Sequence, residues 1–248
     1  GPDSLMAFNG FASADDTWFV PLLYVRLGNS LTTSLAIQNL SGVSIPVGDL
    51  SLVCIKNPAA PGAGTISLTN HTAIANNGAY TFNTLTDTTR FPDAGWYGSC
   101  KLQTAGAQDI VVFVQDRFTA NSQQGAYGAV PGSMSSTNVS VPLVAKRLAN
   151  GFANTVTIQN LSASTATVTL TYIPSGGGTP IVRTGLTIGA GASLIRNFRL
   201  PATELPEITD GWVGSLTVTS DQPIAAFVQN TFLDVYGDRL MEYLGFNY

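Results

Sequence analysis

LAIQNLSG at residues 35–42 returns as VTIQNLSA at residues 156–163. The five shared residues, Ile-Gln-Asn-Leu-Ser, lie 121 positions apart, and their surroundings repeat with them. Val20-Pro21-Leu22 and Arg26-Leu27 match Val141-Pro142-Leu143 and Arg147-Leu148 at the same spacing. Gly95-Trp96 with Gly98-Ser99 matches Gly211-Trp212 with Gly214-Ser215 at a spacing of 116, and Phe113-Val114-Gln115 matches Phe227-Val228-Gln229 at 114. A spacing that shrinks along the chain is what loop deletions between fixed elements produce. A period this long fits whole domains, not a solenoid.

Between the matched words, strand signals recur every 8 to 15 residues, with Gly, Asn or Pro separating them. Residues 166–172 alternate strictly, with Val168, Leu170 and Tyr172 on one face and threonines on the other. The pattern predicts seven strands per repeat. They fall at 17–26, 34–39, 50–56, 65–68, 79–83, 95–103 and 109–117, then at 139–147, 153–160, 166–173, 180–187, 193–199, 212–219 and 223–232. The expected fold is all-β, two tandem immunoglobulin-like sandwiches, with a small barrel as the alternative. Residues 1–4 read as the scar of a removed tag, 5–119 as the first repeat, 120–136 as a linker with first-strand character, and 137–240 as the second repeat.

In this frame Ile37 and Ile158 are core residues. Asn39 and Asn160 open the turn that follows, because Asn tolerates left-handed backbone and bonds its own main chain. The competing reading is glycosylation, since Asn39, Asn160 and Asn138 begin Asn-x-Ser and Asn70 begins Asn-x-Thr. Trp96 and Trp212, set between glycines, read as core or corner plugs, with sugar stacking as the alternative. Cys54 and Cys100 are either two buried thiols or a bridge closing a loop of about 46 residues. The bridge requires export.

Composition excludes several partners. Charged residues are 10% of the chain, the net charge is −4 and there are three lysines, so no basic surface exists for nucleic acid or anionic lipid. No apolar run is long enough to span a bilayer as a helix. The acidic stretches 87–93 and 204–210 offer oxygen ligands for calcium, although solvated loops explain them better, because no EF-hand-like spacing of ligands is present. His71 is the single histidine, and its "TNHT" context supplies no nucleophile–base pair. Glu204, Glu207 and Glu242 are the only glutamates, and none repeats in the first half. No cofactor and no enzymatic activity are expected.

Two features point to assembly. The last strand of each repeat is apolar on both faces, so either a loop covers Phe113 and Phe227 or they are candidate contacts with a neighbouring module or another copy. An aromatic and a glycine recur at 7–11, 126–129 and 241–246, so the tail at 241–248 reads as the start of a third repeat. Alternatively it donates a strand to another subunit or folds back on its own repeat. Tyr243 and Phe246 are its candidate contacts.

The order "IQNLS…VTLTY…IGAGAS…LP…GWVGSLTVTSDQPIAAFVQ" resembles tandem immunoglobulin-like modules of large secreted and surface proteins of filamentous bacteria. The resemblance implies export and a modular architecture, and carries over no binding residue. The resulting expectation is a non-enzymatic, extracellular structural or adhesive protein, a segment of a stalk, sheath or fibre. The alternative is a carbohydrate-binding module that holds surface polysaccharide on exposed aromatics, for which Trp18, Tyr24, Tyr97 and Tyr127 are the candidates.

Overall fold

The structure, a computed structural model, describes residues 10–11, 13–120, 123–201, 205–232 and 240–247. The chain divides into two compact units, Leu5–Met134 and Ser135–Tyr248. Both are built from antiparallel strands. The one helical element among the described residues is a 3-10 turn at Gly132–Met134.

In the first unit the strands are β1 (Thr17–Tyr24), β2 (Leu31–Asn39), β3 (Leu50–Lys56), β4 (Thr65–Thr69), β5 (Ala79–Asn83), β6 (Tyr97–Thr104), β7 (Ile110–Phe118), β8 (Gln123–Gly128) and β9 (Val130–Pro131). They form two sheets, ordered β4-β3-β6-β1-β9 and β5-β2-β7-β8. The second unit holds β10 (Ser136–Ala145), β11 (Phe152–Asn160), β12 (Ala166–Pro174), β13 (Ile181–Ile188), β14 (Ser193–Asn197), β15 (Val213–Phe232), β16 (Leu240–Leu244) and β17 (Phe246–Asn247). Its orders, β13-β12-β15-β10-β17 and β14-β11-β15-β16, repeat the first unit's with one change. The counterparts of β6 and β7 are fused into β15, which passes from one sheet to the other without a break. The turn lost there explains the final shrinkage of the repeat spacing.

All fourteen expected spans are extended, the last two as the halves of the single strand β15. Alternation explains them: Val168, Leu170 and Tyr172 are fully buried, and they join Val139, Val141, Val156, Ile158, Leu216, Val218 and Val228 in one apolar core fed by both sheets. The pairing differs from a constant-type immunoglobulin domain at three strands. That fold puts the first strand beside the second, the fourth beside the fifth and the seventh beside the sixth. Here β1 pairs with β6, β4 with β3 and β7 with β2, while the inner pairs β2–β5 and β3–β6 match.

The stretch expected to be a linker is instead structural. β8 pairs with β7 and β9 with β1, so residues 123–131 complete the first unit. The tail does the same for the second: β16 pairs with β15 and β17 with β10. The second and third occurrences of the aromatic–glycine pattern therefore each close their own unit. The first occurrence falls partly on residues 7–9, which lie outside the described residues, as do residues 1–4.

One physical device explains two of the repeated words together. Pro21 and Pro142 lack an N–H and sit in bulges that interrupt the register of β1 and β10. The bulge frees a carbonyl. Tyr127 donates its hydroxyl to Leu22 O at 3.3 Å, and Tyr243 donates to Leu143 O at 3.1 Å. The next close approach is also duplicated, with Ala129 N on Val112 O at 2.9 Å and Gly245 N on Ala226 O at 2.8 Å. Burial pushes the Tyr243 phenol up to about 12. The unfolded chain ionises this group from about pH 10. Its contribution is thus complete below pH 10 and is lost as pH rises towards 12, amounting to about 1–2 kcal/mol once its partial exposure is discounted. In an alkaline titration followed by circular dichroism, Tyr243→Phe should flatten that loss; an unchanged slope would show that another group drives it.

Candidate functional site

The repeated residues are spent on the fold. Asn39 donates through Nδ2 to Val43 O at 2.6 Å, Ile74 O at 2.9 Å and Ala75 O at 3.2 Å, and its Oδ1 accepts from Ser41 N at 3.0 Å. Asn160 repeats this, with Ser164 O at 2.6 Å, Ile188 O at 3.0 Å, Gly189 O at 3.1 Å and Ser162 N at 3.0 Å. Both are fully buried, so neither side chain is presented for glycosylation. The same holds for Asn70, whose Nδ2 binds Pro46 O and Thr72 O. Neither Asn39 nor Asn160 uses left-handed backbone; the side chain itself makes the corner.

The Gly-Trp-x-Gly word has an equally local cause. Gly95 and Gly211 turn the chain at a φ of +88° each. Trp96 and Trp212 then fold over Gly98 and Gly214, where an added Cβ would meet the indole ring at 2.8 and 2.4 Å and a neighbouring carbonyl at 2.1 and 2.2 Å. Trp96 Nε1 binds Ala63 O at 2.9 Å, so Trp96 is a plug. Arg26 and Arg147 share a φ of 43° and both grip loop carbonyls: Thr84, Phe91 and Pro92 in the first unit, Arg199 in the second.

Cys54 and Cys100 are bonded directly across β3 and β6, with Cα atoms 4.0 Å apart. The bridge lies within one sheet. At the same register the second unit places Tyr172 opposite Leu216.

Three of the four aromatic platforms expected for carbohydrate are inside the fold. Trp18, Tyr24 and Tyr127 are buried. Trp18 Nε1 donates to Asp15 O and Ile110 O, while Tyr24 N donates to Thr33 Oγ1 and Tyr24 O accepts from Thr84 Oγ1. Tyr97 is half-buried, and desolvation raises its phenol above the ordinary value. Of the four expected assembly contacts, Phe227 is fully buried, Phe113 and Tyr243 are half-buried, and Phe246 is 62% exposed.

The acidic loops bind protein groups. Asp87 accepts from Arg90 N at 3.1 Å and Asp93 from Ala63 N at 2.8 Å. Glu207 takes Arg183 at 2.6 and 2.7 Å, which lowers its carboxyl below the usual range, and Asp210 takes Arg147 at 3.1 Å. Glu204 lies outside the described residues. Among the described residues no three His, Cys, Asp or Glu side chains converge.

One polar cluster breaks the duplication. His71, from the β4–β5 loop, Tyr80 on β5 and Arg90 beyond it meet beside Asp87 around a shallow depression lined by His71, Thr86, Asp87, Thr89 and Arg90. Arg90 Nη1 donates to Tyr80 Oη at 2.8 Å, and His71 N donates to the same oxygen at 3.3 Å. Tyr80 Oη lies 2.7 Å from His71 Nδ1, with Arg90 Nη1 at 3.1 Å. Arg90 also binds Thr69 O, pairs with Asp87 at 3.4 Å and stacks 5.0 Å above Phe82. At the registers of Tyr80 and Phe82 the second unit has Leu194 and Arg196. The sequence concealed this cluster because its members come from separate loops and a strand.

No protein-family model matches the chain, and no curated protein matches it. Among solved structures, one described as Thermotoga maritima 1070 aligns over 46% of this chain and 97% of its own, at 18% identity and a TM-score of 0.37. The Anabaena sensory rhodopsin transducer aligns over 38% and 94%, at 20% identity and 0.31. Likenesses this distant carry no functional argument.

Proposed function

We propose that the chain is a non-enzymatic structural or adhesive segment of an extracellular protein, built from variant immunoglobulin-like sandwiches whose first, fourth and seventh strands have changed sheets. One observation carries the reading. The side chains that recur in both units, from Asn39 and Asn160 to Tyr127 and Tyr243, are used in turns, bulges and strand ties. What the duplication preserved is architecture. The disulfide is compatible with an extracellular location. No helix among the described residues is long and apolar enough to cross a membrane, which says nothing of strands.

Self-association would run through Phe246, the exposed member of the expected contacts; its register equivalent Val130 is buried. Sedimentation velocity over a concentration series tests this. The expected result is concentration-dependent association that Phe246→Asp weakens while leaving the β-sheet spectrum intact. A monomer at every concentration would remove assembly from the reading.

A further inference from the structure

We infer that the depression at His71, Thr86, Asp87 and Thr89 is a binding site for a neutral saccharide. At the registers of its strand members Tyr80 and Phe82 the second unit carries Leu194 and Arg196, so these two side chains are not part of the duplicated framework. Its hydrogen bonding is already directed. Tyr80 Oη accepts from Arg90 and from His71 N, so its own proton goes to His71 Nδ1. In the neutral ring this places the remaining hydrogen on Nε2, a fixed donor on an exposed side chain.

Arg90 also lines the depression, but its Nη1 faces Tyr80, His71 and Asp87, its Nη2 binds Thr69 O, and the Asp87 carboxylate offsets its charge. What the wall presents is the His71 donor, the Asp87 carboxylate, whose oxygens keep lone pairs free, and the hydroxyls of Thr86 and Thr89, which no hydrogen bond among the described residues uses. Donors and acceptors in this mixture, with Asp87 offset by Arg90, suit vicinal hydroxyls better than phosphate, sulfate or carboxylate. Because the depression is shallow, the affinity is expected in the millimolar range, which suits a multivalent surface protein. This site is independent of the assembly reading, which survives its failure.

The test is a backbone-amide NMR titration of the whole chain with neutral tetrasaccharides of glucose, mannose, galactose and N-acetylglucosamine, alongside a sulfated one. The expected result is saturable shifts confined to residues 69–72 and 84–91 with a neutral probe. His71→Ala and Thr89→Ala should each bind about tenfold more weakly. Thr89 is exposed and free of structural hydrogen bonds, so its variant keeps the test valid if His71→Ala loosens the loop. Absence of shifts across the neutral panel, shifts centred elsewhere, preference for the sulfated probe, or unchanged binding in both variants would overturn the assignment.

Discussion

Deleting residues 240–248 is expected to unfold the second unit and leave the first folded. The tail supplies β16, paired with β15 from Phe227 to Thr231, and β17 on the edge of β10. It buries Leu240 and packs Tyr243 against the core, with the Tyr243 hydroxyl on Leu143 O. Gly245 passes so close to Val139 and Ala226 that an added Cβ would fall at 2.6 and 3.0 Å from them. Burying side chains of this size stabilises by about 1.5–3 kcal/mol each, and the ladder bonds add to that. A unit of this size has about 5–15 kcal/mol in total. Limited proteolysis with mass spectrometry should show residues 135–232 cut rapidly while 13–120 resist. A truncated chain that keeps its full β-sheet spectrum and loses only oligomers would reassign the tail to strand donation.

The second large effect belongs to the first unit. Replacing Cys54 and Cys100 by Ala should lower its stability by ~4 kcal/mol, the chain-entropy value for a loop of this length. The second unit should be untouched, because Tyr172 and Leu216 occupy the same register there. Calorimetry on the double variant should show one transition moved down and one unmoved. If both transitions move, or neither does, the bridge is not a local brace of the first unit.

These expectations divide along what a linear pattern can carry. Alternation in 166–172 fixes which side chains face the core, because side-chain direction has period two. Repetition of Gly-Trp-x-Gly marks corners, whereas the bulge at each Val-Pro-Leu shows only in the strand register. Neighbour identity is a different kind of information: nothing local in 17–24 says that β1 lies beside β6. The closing strands escaped because 123–131 is short and glycine-rich, although Tyr127 and Tyr243, 116 apart, were the available signal. Trp18, Tyr24 and Tyr127 looked like platforms because an amphipathic ring serves a core and a surface equally well. The His71–Tyr80–Arg90 cluster was invisible because loops bring it together.

The central claim is that the repeated words are architecture, and Asn39 with Asn160 is where it can be tested most directly. Asn39→Ala leaves the carbonyls of Val43, Ile74 and Ala75 without their shared donor, at a cost of about 3 kcal/mol. Asn160→Ala does the same to Ser164, Ile188 and Gly189. The deciding measurement is native-state hydrogen exchange on both variants. The account predicts faster exchange through β1–β9 alone in the first, and through β10–β17 alone in the second, by comparable amounts. Unchanged protection in either variant, with binding or association lost, would contradict it.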